Sequence, residues 1–202
     1  QTPPMSVPAS TFLSEVGKAY LRDHIRAGRD PELSRPVAEQ GGMPAYMLPY
    51  LKRMRELYPV EREDAAIGGV PVFVYEPAGG VKPENRQKVL INFHGGGFAM
   101  CFPGCAELES IPIASLGGFK VVSLDYRQGP EHRFPAASED VAAVYRELLK
   151  SYRPQDIGIY GCSAGGLLTG MSLAWFQAPG LPSPGAAGGF CSGLSPEGIV
   201  FG

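Results

Sequence analysis

Apolar side chains near the N-terminus recur at intervals of three or four residues, which is the spacing of one helix face. This pattern predicts an amphipathic helix over residues 10–28, carried by Phe12, Leu13, Val16, Tyr20, Leu21 and Ile25. A second helix is predicted over 43–57. The stretch between them, 29–42, contains prolines and a glycine pair and is expected to be a loop. Residues 1–58 are therefore expected to form a helical cap segment.

From about residue 60 the apolar pattern changes to that of strands. Residues 60–67 and 70–76 predict an antiparallel hairpin around Gly68-Gly69. Short apolar runs then alternate with helical patterns. Strands are predicted at 88–93, 119–124, 157–161 and 186–191, with helices within 105–117, at 136–150 and at 164–177. Because strands separated by helices are joined by crossovers, residues 59–202 predict an α/β fold with a mostly parallel sheet and helices on both faces.

Composition narrows the classes of function. The 202 residues carry a net charge of −2, which gives no electrostatic case for binding nucleic acid or an anionic membrane. No apolar run is long enough to span a bilayer. The four cysteines form no zinc-type spacing, so no metal is expected. We favour the interpretation that the cysteines are small buried residues. A Cys101–Cys105 disulfide is the minor alternative.

Residues Gly161-Cys162-Ser163-Ala164-Gly165 fit the pattern G-x-S-x-G between a predicted strand and a predicted helix. In this setting the motif forms a tight turn that lifts the serine hydroxyl above the sheet. Glycines flank the serine because a side chain there would be crowded. The alternative is a chance match in a glycine-rich chain, but the strand–turn–helix context favours Ser163 as a nucleophile.

Three consecutive glycines, Gly95, Gly96 and Gly97, follow the apolar strand that ends at Phe93. Attack on an ester carbonyl creates an oxyanion, which requires preorganised hydrogen-bond donors. Backbone N–H groups of glycine can serve because no side chain blocks the approach. The alternative, a flexible turn, would not explain why a buried strand leads directly into the glycines. The N–H of Ala164 would add a donor at the start of the following helix.

The chain resembles the hormone-sensitive-lipase-type branch of the α/β-hydrolases. Three segments carry the resemblance: HGGGF at 94–98, DYRQGPEHRFPAASED at 125–140, and GCSAGG at 161–166. Their order and spacing along roughly 60–180 also agree with the family. The resemblance implies a serine carboxylesterase acting on short- or medium-chain acyl esters, with an N-terminal helical cap and no metal or organic cofactor.

By the same resemblance, the oxyanion donors are Gly96, Gly97 and Ala164, while His94 and Gly95 shape the loop. The chain departs from the family at Cys162, where an acidic residue is frequent, and at Gln128-Gly129, where an apolar pair is more usual. The Cys162 thiol is expected to be buried and inert.

Several charged residues of 125–140 invite a catalytic interpretation, but we favour a structural one. Asp125 and Arg127 can pair or cap at the end of a strand, and Asp140 lies on a helix. All the carboxylates of this segment precede Ser163, whereas the triad acid of this fold follows the serine.

The general base is missing from the sequence. A serine nucleophile needs a histidine oriented by a carboxylate, and none of the three histidines follows Ser163. His94 belongs to the glycine loop, His132 to 125–140, and His24 to the cap helix. Glu197 is the only acid after the serine.

Three explanations remain open. The acid and the histidine can lie on further polypeptide, in the same protein or on another chain. The protein can instead be a non-catalytic relative that binds a small ligand, like the gibberellin receptors, or an inactive truncated product. We favour the first, because a parallel sheet ending beside the nucleophile would leave a central edge uncovered, and the apolar residues 199–201 resemble a chain interrupted within its fold. An acyltransferase is a weaker functional alternative, and a homodimer is compatible with the sequence.

Overall fold

A computed structural model of the chain describes residues 8–192. Its helices of four residues or more are α1 Glu15–Arg29, α2 Pro31–Ser34, α3 Leu48–Leu57, α4 Gly104–Gly117, α5 Ala136–Leu148 and α6 Ala164–Gln177. Its strands are β1 Pro36–Val37, β2 Met43–Pro44, β3 Val60–Ile67, β4 Val70–Pro77, β5 Val89–Phe93, β6 Lys120–Leu124, β7 Ile157–Cys162 and β8 Ala186–Phe190. The apolar residues 199–201 lie outside the described range.

The main sheet has six strands in the order β3-β4-β6-β5-β7-β8. The hairpin β3–β4 and the pair β4–β6 are antiparallel, whereas β6, β5, β7 and β8 run parallel. Gly68 and Gly69 at the hairpin turn have φ of 60° and 82°, as a tight two-residue hairpin requires. The prediction of an α/β fold with a mostly parallel sheet is confirmed.

Helices cover both faces of this sheet. One apolar cluster packs α5 and α6 against the inner strands and includes Val89, Ile91 and Phe93, which are fully buried. A second cluster on the other face includes Ile111 and Ala114 of α4. Burial on both faces explains why the central parallel strands are mostly apolar, apart from the buried Asn92 and Ser123.

The segment before β3 is more broken than its sequence predicts. Helix α1 begins at Glu15, where the Ser14 hydroxyl caps it by accepting the N–H of Gly17. The second helix begins at Leu48 and not at residue 43, because Met43–Pro44 pairs with Pro36–Val37 and a 3₁₀ turn follows. The expected loop 29–42 contains α2 and β1. The assignment of residues 1–58 as a cap stays a prediction.

The favoured interpretation of the four cysteines as small buried residues is wrong, because Cys101 is buried but disulfide-bonded and the other three are not fully buried. Cys101 and Cys105 form a disulfide just before and within the first turn of α4, and Cys191 is exposed. The disulfide packs in a small apolar cluster with Met43 and Leu51 of the N-terminal segment. Two cysteines four residues apart reach each other here because the chain turns into the helix between them. In residues 8–192, no helix has the length and apolar character needed to cross a membrane.

Candidate active site

Ser163 lies at the sharp turn between β7 and α6. Its φ of 55° is in the left-handed region, which is costly for a residue with a side chain, and the serine is exposed. The turn is tight because the motif glycines lie against the end of β5: a Cβ added to Gly161 or Gly165 would overlap the carbonyl oxygen of Phe93. The predicted strand–turn–helix context is therefore present, with Ser163 at its apex.

The glycine loop after β5 is held by its own histidine. His94 is fully buried, its ring Nδ1 lies 2.6 Å from the carbonyl oxygen of Gly95, and it stacks on Tyr126 with ring centroids 4.5 Å apart. The Tyr126 hydroxyl donates to the His94 carbonyl at 2.7 Å. Burial lowers the pKa of His94 to about 4, so the ring is neutral near pH 7. These contacts fit the loop-shaping role expected for His94 and exclude it as an accessible base.

Gly95 brings the glycine loop to the serine. A Cβ added to Gly95 would lie 3.5 Å from the Ser163 Cβ and 3.1 Å from the Cys162 carbonyl oxygen. The Gly95 N–H is already engaged, because it donates to Glu109 Oε1 at 2.8 Å. In contrast, the N–H groups of Gly96, Gly97 and Ala164 donate to no acceptor within residues 8–192. A side chain could not occupy Gly96, whose added Cβ would overlap the Met100 carbonyl, but nothing lies within 4 Å of one at Gly97.

Glu109 of α4 is the site residue that sequence reasoning missed. Besides the Gly95 N–H, its carboxylate accepts the side-chain amide of Asn92 at 2.9 Å and the N–H of Cys162 at 3.3 Å. Burial raises its pKa to about 7, although the three hydrogen bonds oppose this shift. The available signal was a pair of acids, Glu107 and Glu109, within an otherwise apolar predicted helix.

The environment of the thiol beside the nucleophile disfavours its reactive, ionised form. Cys162 is partly buried and not fully buried as expected. Burial and the neighbouring Cys191 thiol raise the pKa of Cys162 to about 12. The thiolate, which is the reactive form, is therefore scarce at neutral pH.

Arg127, Glu139 and Asp140 of the segment 125–140 have a structural role, but the pairing differs from our expectation. Arg127 pairs with Asp140 and Glu139 of α5, each at 2.9 Å, and not with Asp125. Asp140 also accepts the backbone N–H of Arg127 at 2.8 Å. Two acids on the first turns of α5 thus fix the strand exit, which the sequence could not assign because several acids lie nearby.

Comparison with known proteins decides the family. A family model described as the alpha/beta hydrolase fold matches residues 90–198, more than half of the chain. This chain belongs to the α/β-hydrolase fold family. Among the structural neighbours of this α/β-hydrolase, esterase E25 has a TM-score of 0.66 at 28% identity, covering 93% of this chain and 59% of that chain. The hormone-sensitive-lipase homologue EstE7 from a metagenome library has a TM-score of 0.66 at 30% identity, covering 84% and 54%.

Curated relatives of this α/β-hydrolase are esterases and acetyl-hydrolases. The versiconal hemiacetal acetate esterase stcI of Emericella nidulans is 36% identical over 110 residues, which are 53% of this chain and 36% of that protein. An acetyl-hydrolase of Streptomyces hygroscopicus is 36% identical over 109 residues, again 53% of this chain and 36% of that protein. The chain thus spans little more than a third of these relatives and somewhat over half of the matching structures.

Within residues 8–192, none of the three histidines of the α/β-hydrolase chain hydrogen-bonds the Ser163 hydroxyl. His24 stacks on Tyr20 of α1 at a centroid distance of 5.9 Å. His132 lines a largely apolar cavity of about 300 Å³ beside Phe98, Phe134 and Met171. Within residues 8–192, no three or more His, Cys, Asp or Glu side chains are grouped to hold a metal ion.

Proposed function

We propose that this chain carries the nucleophile and the oxyanion donors of a serine carboxylesterase for short- to medium-chain acyl esters. One observation carries the proposal: an exposed serine at a strained turn is approached by the glycine loop at Gly95, and the N–H groups of Gly96, Gly97 and Ala164 have no acceptor in the described part of the chain. The esterase and acetyl-hydrolase relatives support the same chemistry.

The proposed reaction proceeds through an acyl-serine. The Ser163 oxygen attacks the ester carbonyl carbon while its proton passes to the base, and Gly96, Gly97 and Ala164 hydrogen-bond the resulting oxyanion. The tetrahedral intermediate then expels the alcohol, which takes up the proton, and water hydrolyses the acyl-serine by the same route. We place the histidine and its acid on polypeptide outside these 202 residues, because no histidine follows Ser163 in the sequence.

The cavity beside Phe98 is our candidate for the ester's apolar portion. Phe98 directly follows Gly97, and Met171 of α6 forms another part of the wall. A Met171→Trp substitution should fill this space and lower kcat/KM for p-nitrophenyl butyrate about tenfold more than for the acetate. Leu173→Trp, an exposed position on the same helix, is the matched control. An equal loss for both esters would remove the cavity from the proposal.

The nucleophile is tested by fluorophosphonate labelling and hydrolysis of p-nitrophenyl acetate by the complete protein. Labelling should occur at Ser163, and Ser163→Ala should abolish both labelling and hydrolysis, whereas the exposed Ser151→Ala should keep both. A folded protein with no labelling and no hydrolysis would instead support a ligand-binding relative. Transfer of the acyl group to an added alcohol in preference to water would support an acyltransferase.

The oxyanion donors are tested by deleting one N–H group. Replacing Ala164 with lactic acid converts its backbone amide into an ester and keeps the methyl side chain. We expect kcat to fall about 100- to 1000-fold. The same replacement at the exposed Ala174, ten residues farther along α6, controls for the chemistry and for a weakened helix. Similar losses at both positions would contradict the role of Ala164.

A further inference from the structure

The Glu109 carboxylate joins the two loops that form the site. One oxygen accepts the Gly95 N–H at 2.8 Å. The other accepts the Asn92 side-chain amide at 2.9 Å and the Cys162 N–H at 3.3 Å. Gly95 directly precedes the proposed donor Gly96, and Cys162 directly precedes Ser163. The carboxylate therefore binds each loop one residue before its reacting group.

We propose that Glu109 is a positioning residue that fixes the distance between the glycine loop and the serine turn by accepting hydrogen bonds from both backbones. The inference rests on the proposed function, because the positioned groups are Ser163 and the oxyanion donors. Glu109 acts through Gly95 and Cys162 and is assigned no contact with substrate. A displacement of about 1 Å at such groups is enough to cost about 100-fold in rate.

The three groups around position 109 require a side chain that provides hydrogen-bond acceptors and no donor. All three groups facing the carboxylate are N–H donors, which a carboxylate satisfies completely. A glutamine at 109 offers one oxygen and one amino group, so either Gly95 or the Asn92–Cys162 pair would face another donor. Glu109→Gln is therefore nearly isosteric and directed at the hydrogen-bond pattern.

The neighbouring Glu107 provides a matched control. It is a buried acid on the same helix, but its carboxylate pairs with Arg55 and Arg62 and makes no hydrogen bond to the site loops in the described structure. Glu107→Gln therefore removes a buried carboxylate from α4 and leaves the contacts of Glu109 in place. Any effect specific to positioning should separate the two variants.

The experiment compares the unmodified protein with both variants in two measurements at pH 8, where Glu109, with a pKa of about 7, is mainly ionised. Amide hydrogen exchange should be about tenfold faster at Gly95, at Cys162, or at both in Glu109→Gln, and unchanged at these residues in Glu107→Gln. With p-nitrophenyl acetate, Glu109→Gln should lower kcat about 100-fold and leave KM within about twofold, because binding of the ground state is not affected.

A compensating change tests the orientation of the hydrogen bonds. The Asn92 side-chain oxygen accepts the Ser123 hydroxyl at 2.6 Å, and an aspartate at 92 could still do so. In Asn92→Asp with Glu109→Gln, the new carboxylate can also accept the glutamine amino group, which turns the glutamine oxygen towards Gly95. Protection of the Gly95 amide should return with part of the lost kcat, whereas the Cys162 N–H still faces the glutamine amino group and should stay unprotected.

Two results would overturn the proposal: unchanged exchange at both Gly95 and Cys162 in Glu109→Gln, or a loss of kcat no larger than in Glu107→Gln. Failure of the proposed function looks different. In that case the unmodified protein would neither hydrolyse the ester nor label at Ser163, while the exchange measurement would still decide whether Glu109 holds the two loops.

Discussion

At the scale of single residues, two titratable groups beside the serine have pKa values shifted in opposite directions. Burial lowers the pKa of His94 from 6.5 to about 4, so its contribution to stability is present above pH 6.5 and is lost as the pH falls through 4. Burial raises the pKa of Glu109 from 4.5 to about 7, so its contribution is present below pH 4.5 and is lost as the pH rises through 7. Between pH 4.5 and 6.5 the two slopes oppose each other.

Glu109→Gln should remove the contribution of Glu109 to the pH dependence of stability and leave that of His94. The groups that face Glu109 are neutral near pH 7: Asn92, the Cys162 thiol, Tyr126 and Tyr160, and burial raises the pKa values of the last three. The variant's free energy of unfolding, relative to the unmodified protein, should therefore increase by up to about 3 kcal/mol from pH 4.5 to pH 8. Urea unfolding across this range measures the difference. A difference that does not change with pH would show that Glu109 titrates normally.

Two glycines of the site should differ sharply in their tolerance of alanine. A Cβ at Gly165 would overlap the Phe93 carbonyl, so Gly165→Ala should destabilise the fold by more than about 3 kcal/mol. Gly97 has open space around its Cβ position and a φ of 65°, so Gly97→Ala should cost only about 1 kcal/mol of backbone strain. Chemical denaturation compares them. Equal losses of unfolding free energy would contradict the described packing of the serine turn on β5.

The turns at Ser163 and at the glycine loop could be predicted from the sequence because both are local and have a recognisable composition. It could not identify Glu109. Residues 107 and 109 are two positions apart on a helix, so they point to nearly opposite sides. Which acid meets Arg55 and which meets Gly95 depends on how α4 lies on the sheet, and this is a tertiary property.

At the scale of elements, the regular strands and helices after residue 60 were predictable to within one or two residues at most ends. They are long and have a clear apolar period. The segment between α1 and α3 was not predictable, because β1 and β2 have only two residues each and are defined by their pairing with one another. Periodicity carries no information about elements of this length.

The disulfide at the start of α4 leads to a prediction at this scale. In denaturant, the 202-residue chain should show two reactive thiols before reduction and four after, since Cys162 and Cys191 are its free cysteines. Replacing Cys101 and Cys105 by serine should lower the free energy of unfolding by about 2 kcal/mol, as expected for a very short closed loop. Cys191→Ser, at an exposed free cysteine, should change it by less than about 0.5 kcal/mol. Four reactive thiols without reductant would contradict the pairing.

At the scale of the whole molecule, the sheet places the serine turn, which follows β7, one strand away from an edge. Strand β8 pairs with β7 on one side, and in the described part of the chain no strand pairs with its other side. The order of the strands in the sheet could not be predicted from the sequence. Strand β5 lies between β6 and β7 in the sheet, although it precedes both along the chain. Register and order depend on contacts between distant segments.

The proposed division of the triad predicts how the 202 residues behave alone. If the base lies elsewhere, this polypeptide should hydrolyse p-nitrophenyl acetate about 10⁶-fold more slowly than the complete protein, as for other enzymes that lose a triad residue. Turnover by the purified polypeptide and by the complete protein measures this ratio. A ratio below about 100 would mean that a base within the chain serves Ser163, and His132→Gln would then test whether His132 is that base.

Two acids of helix α4 connect this helix to different parts of the fold. Glu107 accepts Arg55 of α3 at 2.6 Å and Arg62 of β3 at 3.1 Å, and two residues later Glu109 accepts the loops around Ser163. Chimeras that exchange residues 1–58 with those of another hydrolase would therefore have to keep a cation at position 55, or exchange α4 as well. A graft without that cation would leave the buried Glu107 carboxylate with Arg62 as its remaining partner, at a cost to the stability of the fold.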